Sequence, residues 1–156
     1  MSYQKQNILP VLSAEEGFDK AAKTYHQYRD HLTSVDHNQY KRFLPRDLTN
    51  KVILDLGAGD GRIYDHFKPI DYKAYLALDI SQKMLDRFQS SAIEKIVADA
   101  EEDFPLDDNS VDLVCMFFFL EYIEDLQHLF LEIARVLVAG GVAVATYSHQ
   151  KNGFVF

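Results

Sequence analysis

The residues best suited to chemistry lie at positions 52–62, in the stretch VILDLGAGDGR. An apolar run that predicts a strand leads into glycines at 57, 59 and 61, and a helical pattern follows. At Gly57 and Gly59 no side chain blocks the approach of a ligand to the backbone. If Gly61 opens the helix, the free N–H groups of its first turn point at the same place. The stretch therefore predicts a ligand-binding turn.

The glycine spacing and a nearby carboxylate indicate the kind of ligand. The spacing is G-x-G-x-G, whereas the turn that binds a dinucleotide pyrophosphate is G-x-G-x-x-G. Asp55 lies two residues before Gly57, where it would repel a pyrophosphate but could hold an ammonium group, directly or through water. Both features disfavour a nucleotide-dependent oxidoreductase.

This motif resembles that of the class I S-adenosylmethionine-dependent methyltransferases, in which an acidic residue and G-x-G-x-G end the first strand. The resemblance covers roughly residues 51–146, and FDKAAKTYHQYR at 18–29 looks like the helix that precedes the sheet in many small-molecule members. It implies S-adenosylmethionine as the methyl donor. Four residues of the turn are assigned to the donor site: Asp55, Gly57, Ala58 and Gly59.

Further carboxylates follow the second and third predicted strands. Asp79 ends the run AYLALD, where its oxygens can accept hydrogen bonds from both ribose hydroxyls; alternatively, it only stabilises the N-terminus of the next helix. Ile80 is assigned to the same site. The resemblance implies that Asp99 accepts from the adenine amino group while the backbone of Ala100 contacts the ring. We interpret the acidic residues at 101–103 as solvated loop charge.

Aromatic residues are candidates for the wall around the donor's methionine end and the acceptor. The resemblance places Phe117 and Phe118 there, although consecutive aromatics at a buried strand end equally fit core packing. Tyr25 and Tyr28 could close over the methionine end, as comparable tyrosines do in similar proteins. Packing of their helix against the sheet explains their spacing equally well.

Alternating strands and helices must position these residues. Predicted strands cover 52–56, 74–78, 93–98, 111–118 and 142–146. Predicted helices between them cover 61–67, 81–88 and 126–138, the last stopped by Gly140 and Gly141. This alternation predicts an α/β fold with a Rossmann-like, doubly wound, mostly parallel sheet. The connection at 99–110 reads as an acidic loop without a clear helix.

Two parts of one domain are expected, an N-terminal helical preface at 1–50 and an S-adenosylmethionine-binding α/β core at 51–156. Ser13 and Glu16 form a capping-box start for a helix over 13–29. A second helix over 35–44 is stopped by Pro45.

The C-terminus departs from the family pattern, because a complete fold has seven strands and about five are evident. The last predicted strand would be an open edge. Asn152-Gly153 is a strong hairpin signal that could return 154–156 as a short strand. Otherwise the chain is a fragment with its C-terminal strands missing, or two copies cover each other's edge as a homodimer.

Composition limits the partners. The net charge of −8 without a clustered basic face argues against nucleic acid. The longest apolar run, 113–120, is too short to span a bilayer, and no signal peptide is evident. The lone Cys115 fits a buried structural thiol in a cytoplasmic protein.

We predict a methyltransferase that acts on a small molecule, with no metal site. Its catalytic residues are not identified. If the acceptor needs a general base, the candidates are Glu121, Tyr122, His128 and His149. The alternative is a non-catalytic module that binds S-adenosylmethionine or its product, S-adenosylhomocysteine.

Overall fold

The computed structural model describes residues 12–29, 31, 39–149 and 153–155. Their centre is a six-stranded sheet with the order β3-β2-β1-β4-β5-β6. The strands are β1 Val52–Leu56, β2 Ala74–Asp79, β3 Glu94–Val97, β4 Val111–Phe117, β5 Leu137–His149 and β6 Gly153–Val155. The first five run parallel, and β6 is antiparallel to β5. The predicted doubly wound, mostly parallel sheet is confirmed.

The chain direction reverses at the centre of this sheet. From β1 the chain proceeds outward to β2 and β3, then returns to the other side of β1 as β4. Residues Asp55 and Leu56 of β1 lie beside Cys115 and Met116 of β4. In open sheets of this kind, ligands bind where the order reverses, outside the carboxyl ends of the strands.

Apolar side chains cover both faces of the sheet. Ile53, Tyr75 and Leu113 pack with Phe67 on one face. Alternate strand residues such as Leu54 and Val114 pack on the other, against the helix that follows β4. Because successive strand residues face opposite sides, a strand buried on both faces appears as a continuous apolar run.

The helices are shorter than predicted. They are α1 Ala14–Ala21, α2 Tyr64–Phe67, α3 Gln82–Arg87 and α4 Leu126–Val136. The capping box is confirmed: Ser13 Oγ accepts from the Glu16 amide at 3.2 Å and Glu16 Oε2 accepts from the Ser13 amide at 3.1 Å. Beyond α1 the predicted helix gives way to a turn and the 3₁₀ helix Tyr25–Tyr28.

Two predicted helix boundaries are wrong, and one prediction is only partly visible. Gly61 does not open α2, because its φ of 83° is left-handed and does not occur inside a right-handed helix. Gly140 and Gly141 do not stop α4; the helix ends at Val136, and Leu137 pairs at once with Val111 of β4. Of the helix predicted at 35–44, the described part contains the 3₁₀ helix Gln39–Arg42, and 32–38 lie outside the described residues.

The last parallel strand is longer than predicted. Pairing between β4 and β5 shifts from Val111 beside Leu137 to Leu113 beside Val142, so residues 138–141 form an irregularity within β5. The predicted return strand is present as β6, which pairs with Tyr147–His149. The predicted turn at Asn152 lies outside the described residues.

The connection at 99–110 is a loop, as predicted, and α4 holds it in place. Glu132 Oε2 accepts from the amide of Phe104 at 2.8 Å. Arg135 donates to the carbonyls of Phe104 and Leu106 at 3.0 and 2.7 Å. These bonds fix the chain where it leads into β4. Within the described ranges, no helix has both the length and the apolar character needed to cross a bilayer.

Candidate functional site

A cavity lies at the carboxyl ends of the parallel strands. Eight of the ten residues predicted for the donor site form part of its wall: Tyr25, Gly57, Gly59, Asp79, Ile80, Asp99, Ala100 and Phe117. They come from an N-terminal segment, the turn after β1, the ends of β2 and β4, and the loop after β3. The fold therefore brings together residues that are up to 92 positions apart in the sequence.

The turn after β1 depends on glycine for packing as well as for its backbone shape. Gly57 has a φ of 69° and Gly61 a φ of 83°, values that cost little only for glycine. A Cβ at Gly57 would lie 2.5 Å from the ring of Phe119, and one at Gly61 would lie 2.5 Å from the ring of Phe88. Neighbouring rings fill these spaces, so the glycines are required even without a ligand.

Asp79 joins this turn to the next one. Its Oδ2 accepts from the amide of Gly59 and its Oδ1 from the amide of Ser81, both at 2.8 Å. Burial raises the pKa of Asp79, although the two backbone hydrogen bonds oppose the shift. Ser81, not Asp79, caps α3, because its Oγ accepts from the amide of Met84 at 3.1 Å. Each carboxylate oxygen keeps a second lone pair for a ligand hydroxyl.

Asp55 lies in the core of the sheet, outside the cavity wall. The hydroxyl of Tyr75 donates to its Oδ2 at 2.7 Å, and the carboxyl group is buried. Burial raises the pKa of Asp55 to about 7, against the effect of the Tyr75 hydrogen bond. Ala58, also predicted for the donor site, is likewise buried outside the wall, and its amide donates to Leu78 O at 3.1 Å.

Asp99 and Glu101 follow β3 on the adenine side that the sequence predicts. Asp99 Oδ1 accepts from the amide of Glu101 at 2.9 Å. The interpretation of Glu101 as solvated charge is wrong, because it is half-buried in the cavity wall. Its Oε1 accepts from the amides of Glu124 and Asp125 at 2.6 and 2.9 Å. The other two acidic residues of this run, Glu102 and Asp103, are exposed as expected.

Aromatic side chains form much of the remaining wall. Five of them besides Phe117 line it: Phe18, Tyr25, Phe118, Phe119 and Tyr122. The chain bends after β4 at Phe118, which has a φ of 56° and whose amide donates to Thr146 Oγ1 at 3.1 Å. Sequence reasoning missed Phe18 and Phe119 as wall residues, because helical spacing and an apolar run also fit core packing. Tyr28 is exposed and lies outside the wall.

The N-terminal segment is fastened across the cavity. Asp19 of α1 accepts from Ser81 Oγ at 2.7 Å and from Lys83 Nζ at 2.6 Å, and Lys83 and Ser81 lower the pKa of its carboxyl. Arg29 Nε donates to both carboxylate oxygens of Asp60, at 3.1 and 3.0 Å. Tyr25 lies between these attachments, and burial together with the neighbouring Tyr122 raises its pKa. Its phenol therefore stays protonated at neutral pH.

Of the four general-base candidates, only Tyr122 is a wall residue. His128 lies on α4 outside the wall, with its Nε2 3.7 Å from Asp103 Oδ1. Glu121 is exposed, and the side chain of His149 lies outside the described residues. Cys115 is buried in β4, and burial raises the pKa of its thiol well above the usual range. Over the described part of the chain, no group of three or more His, Cys, Asp or Glu could hold a metal ion.

Comparisons with known proteins agree with this geometry. The family model for a methyltransferase domain matches residues 54–145. A malonyl-[acyl-carrier protein] O-methyltransferase of Marinomonas sp. (strain MWYL1) is 33% identical over 140 residues, which are 86% of this chain and 51% of the relative. A demethylmenaquinone methyltransferase of Leptospira interrogans is 26% identical over 141 residues, covering 81% of this chain and 57% of the relative. The chain thus spans about half the length of these curated relatives.

Solved structures show the same fold. A methyltransferase of Haloferax volcanii, solved in complex with the Trm112 methyltransferase activator, has a TM-score of 0.77 and 26% identity, over 88% of this chain and 62% of that one. An S-adenosylmethionine-dependent methyltransferase of Mesorhizobium loti has a TM-score of 0.67 and 28% identity, over 74% of this chain and 53% of that one.

Proposed function

The chain belongs to the methyltransferase domain family, and we propose that it binds S-adenosylmethionine in the cavity described above and transfers its methyl group to a small molecule. The observation that carries the proposal is Asp79, which faces the cavity while its two oxygens hold the backbone of both flanking turns. A carboxylate fixed in this way is preorganised to accept two ribose hydroxyls.

The other wall residues divide along the length of such a donor. Asp99 has one oxygen bound to the Glu101 amide and a second available for the adenine amino group, with Ala100 and Ile80 beside the ring. Gly57 and Gly59 allow the methionine portion to approach the backbone. Phe117 and Tyr25 enclose that end. We assign Asp55 and Ala58 an indirect role, because they support the turn from beneath instead of lining the cavity.

In this mechanism the donor supplies an activated methyl group on a sulfonium, and the protein supplies placement. The aromatic residues exclude water and hold the acceptor in line with the methyl carbon. Such positioning can account for about 7–11 kcal/mol of barrier lowering. Tyr25, whose pKa is raised by burial, acts as a neutral hydrogen-bonding group, not as a base.

The test is calorimetric titration of the 156-residue chain with S-adenosylmethionine and S-adenosylhomocysteine. Asp79→Asn should weaken donor binding by about 1.5–3 kcal/mol, the range for hydrogen bonds to charged groups. Asp103→Asn is the matched control, because that carboxylate is 89% exposed in the neighbouring loop. No binding by the folded chain would refute the proposal. Binding without turnover on any acceptor would favour the non-catalytic module.

We also propose the setting in which this domain acts. Residues 1–50 serve as a preface to the core at 51–156, and the protein is cytoplasmic, which suits the buried thiol of Cys115. Nucleic acid is not expected as a partner, since the net charge is −8. A homodimer would add strands along the β5 edge, where β6 pairs with Tyr147–His149.

A further inference from the structure

We infer that the acceptor is an amine and that methyl transfer occurs to nitrogen. The inference rests on the proposed function, because it assigns the chemistry of the acceptor end of the same cavity. It is carried by three aromatic side chains, Phe18, Tyr25 and Tyr122, that meet there without a basic residue in the wall.

These rings form one contiguous surface from two parts of the chain. The centroids of Phe18 and Tyr122 are 5.1 Å apart, with the planes at 74°. Tyr25 is close enough to Tyr122 for the two phenols to interact electrostatically. An edge-to-face pair exposes the negative face of at least one ring. Aromatic faces attract ammonium groups, at about 0.5–2 kcal/mol for each contact.

The charges around the cavity have one sign. The charged wall residues among those described are Asp79, Asp99 and Glu101, and no Lys, Arg or His belongs to the wall. Arg62 stacks over the ring of Phe118, with its Cζ 5.1 Å from the centroid, but it is not part of the wall. A carboxylate acceptor would therefore lose its hydration without gaining a cation, which is unfavourable.

The charge balance of the reaction fits the same wall. The lone pair of a neutral amine attacks the methyl carbon, the carbon–sulfur bond breaks, and its electron pair stays on sulfur as a thioether. The positive charge thus moves from sulfur to nitrogen and remains near the rings throughout. The protonated amine loses one proton to solvent before attack, and the methylated product loses one afterwards. The wall needs no strong base for this chemistry.

The experiment uses three probes with one skeleton: 2-phenylethylamine, 2-phenylethanol and 3-phenylpropanoate. Donor binding is measured first, so that failure of the proposed function is seen separately. Each probe is then titrated into the chain saturated with S-adenosylhomocysteine. The amine should bind about 3- to 30-fold more tightly than the alcohol, as cation–π contacts predict, and the carboxylate should bind most weakly. The amine incubated with S-adenosylmethionine should yield an N-methylated product by mass spectrometry.

Variants identify the rings as the cause. Tyr122 is 57% exposed, so its replacement should leave the fold intact by circular dichroism. Tyr122→Leu should reduce the preference for amine over alcohol, whereas Tyr122→Phe should keep it. Tyr147→Leu is the control, because Tyr147 is 45% exposed on β5 and outside the wall. The inference is overturned if the donor-loaded chain binds no amine, binds the carboxylate equally well, or loses affinity for all three probes alike in Tyr122→Leu.

Discussion

The carboxyl and amino ends of the sheet use buried carboxylates in opposite ways. At the carboxyl end, Asp55 and Asp79 accept from a phenol and from backbone amides, and burial raises the pKa of both. Near the amino end of β4, Glu132 pairs with Arg135 at 2.7 Å, which lowers the pKa of Glu132 to about 2. The carboxylates with neutral partners retain capacity for a ligand, whereas the ion-paired carboxylate stabilises the fold.

Glycine substitution should give the largest contrast between the two ends. Gly61→Ala places an L-residue at a φ of 83° and a Cβ 2.5 Å from the ring of Phe88. Strain and overpacking together should reduce the free energy of unfolding by about 2–5 kcal/mol. Gly140→Ala has a φ of 81° and nothing within 4 Å of its Cβ, so it should cost only about 1–2 kcal/mol. Urea unfolding measures both, and equal losses would contradict the packing role of Phe88.

The second contrast is between stability and ligand affinity. Glu132→Gln removes the charge that Arg135 and the Phe104 amide share, which should lower the free energy of unfolding by about 1–3 kcal/mol. Affinity for S-adenosylmethionine should not change. Asp79→Asn should have the reverse profile, with its main effect on affinity. Thermal unfolding and calorimetry on the same samples decide, and a loss of donor affinity in Glu132→Gln would break the comparison.

The two ends should also respond to pH with opposite signs. Because the folded-state pKa of Asp55 is raised to about 7 from about 3.9 in unfolded chains, the folded state holds its proton more tightly. That stabilisation is present below about pH 4 and is lost as the pH rises toward 7. Asp55→Asn should therefore flatten the stability profile between about pH 4 and 7.

Glu132 supplies the control for this pH dependence. Its folded-state pKa of about 2 lies below the ordinary value of 4.5. Its contribution to stability is therefore present above about pH 4.5 and lost as the pH falls toward 2. Denaturant unfolding across this range should show that Glu132→Gln alters the acidic limb only. An Asp55→Asn profile that still declines between pH 4 and 7 would assign the decline to another group.

The smallest effect is expected at an exposed ion pair of the amino end. Lys51 Nζ lies 3.0 Å from Asp112 Oδ1, and the Lys51 side chain is 47% exposed. Lys51→Met should lower the free energy of unfolding by less than about 1 kcal/mol. Added salt should remove the difference from the wild type. A larger, salt-independent loss would show that the pair has a structural role like that of Glu132.

The sequence predicts the sheet well, because each central strand is buried on both faces and appears as an apolar run. It does less well where a distant contact decides the local structure. The left-handed Gly61 fits against Phe88, and neither the glycine spacing nor the helical pattern that follows reveals this contact. Likewise, Leu137 ends α4 by pairing with Val111, although the next glycines come three residues later.

The candidate site shows the same division. The positions of Asp79 and Asp99 at strand ends follow from the parallel topology and were predicted. The burial of Asp55 against Tyr75 depends on which face of β1 it occupies and on a partner 20 residues away. Glu101 is acidic like its neighbours, and only the position of the Glu124 and Asp125 amides separates it from solvated loop charge.

The two attachments of the N-terminal segment have a kinetic consequence. Asp19 ties one end to α3 and Arg29 ties the other to Asp60, while Phe18 and Tyr25 between them line the cavity. A bound molecule of the donor's size leaves only after at least one tie opens. Because ties of this kind weaken as ionic strength rises, residence time should shorten with added salt even where equilibrium affinity changes little.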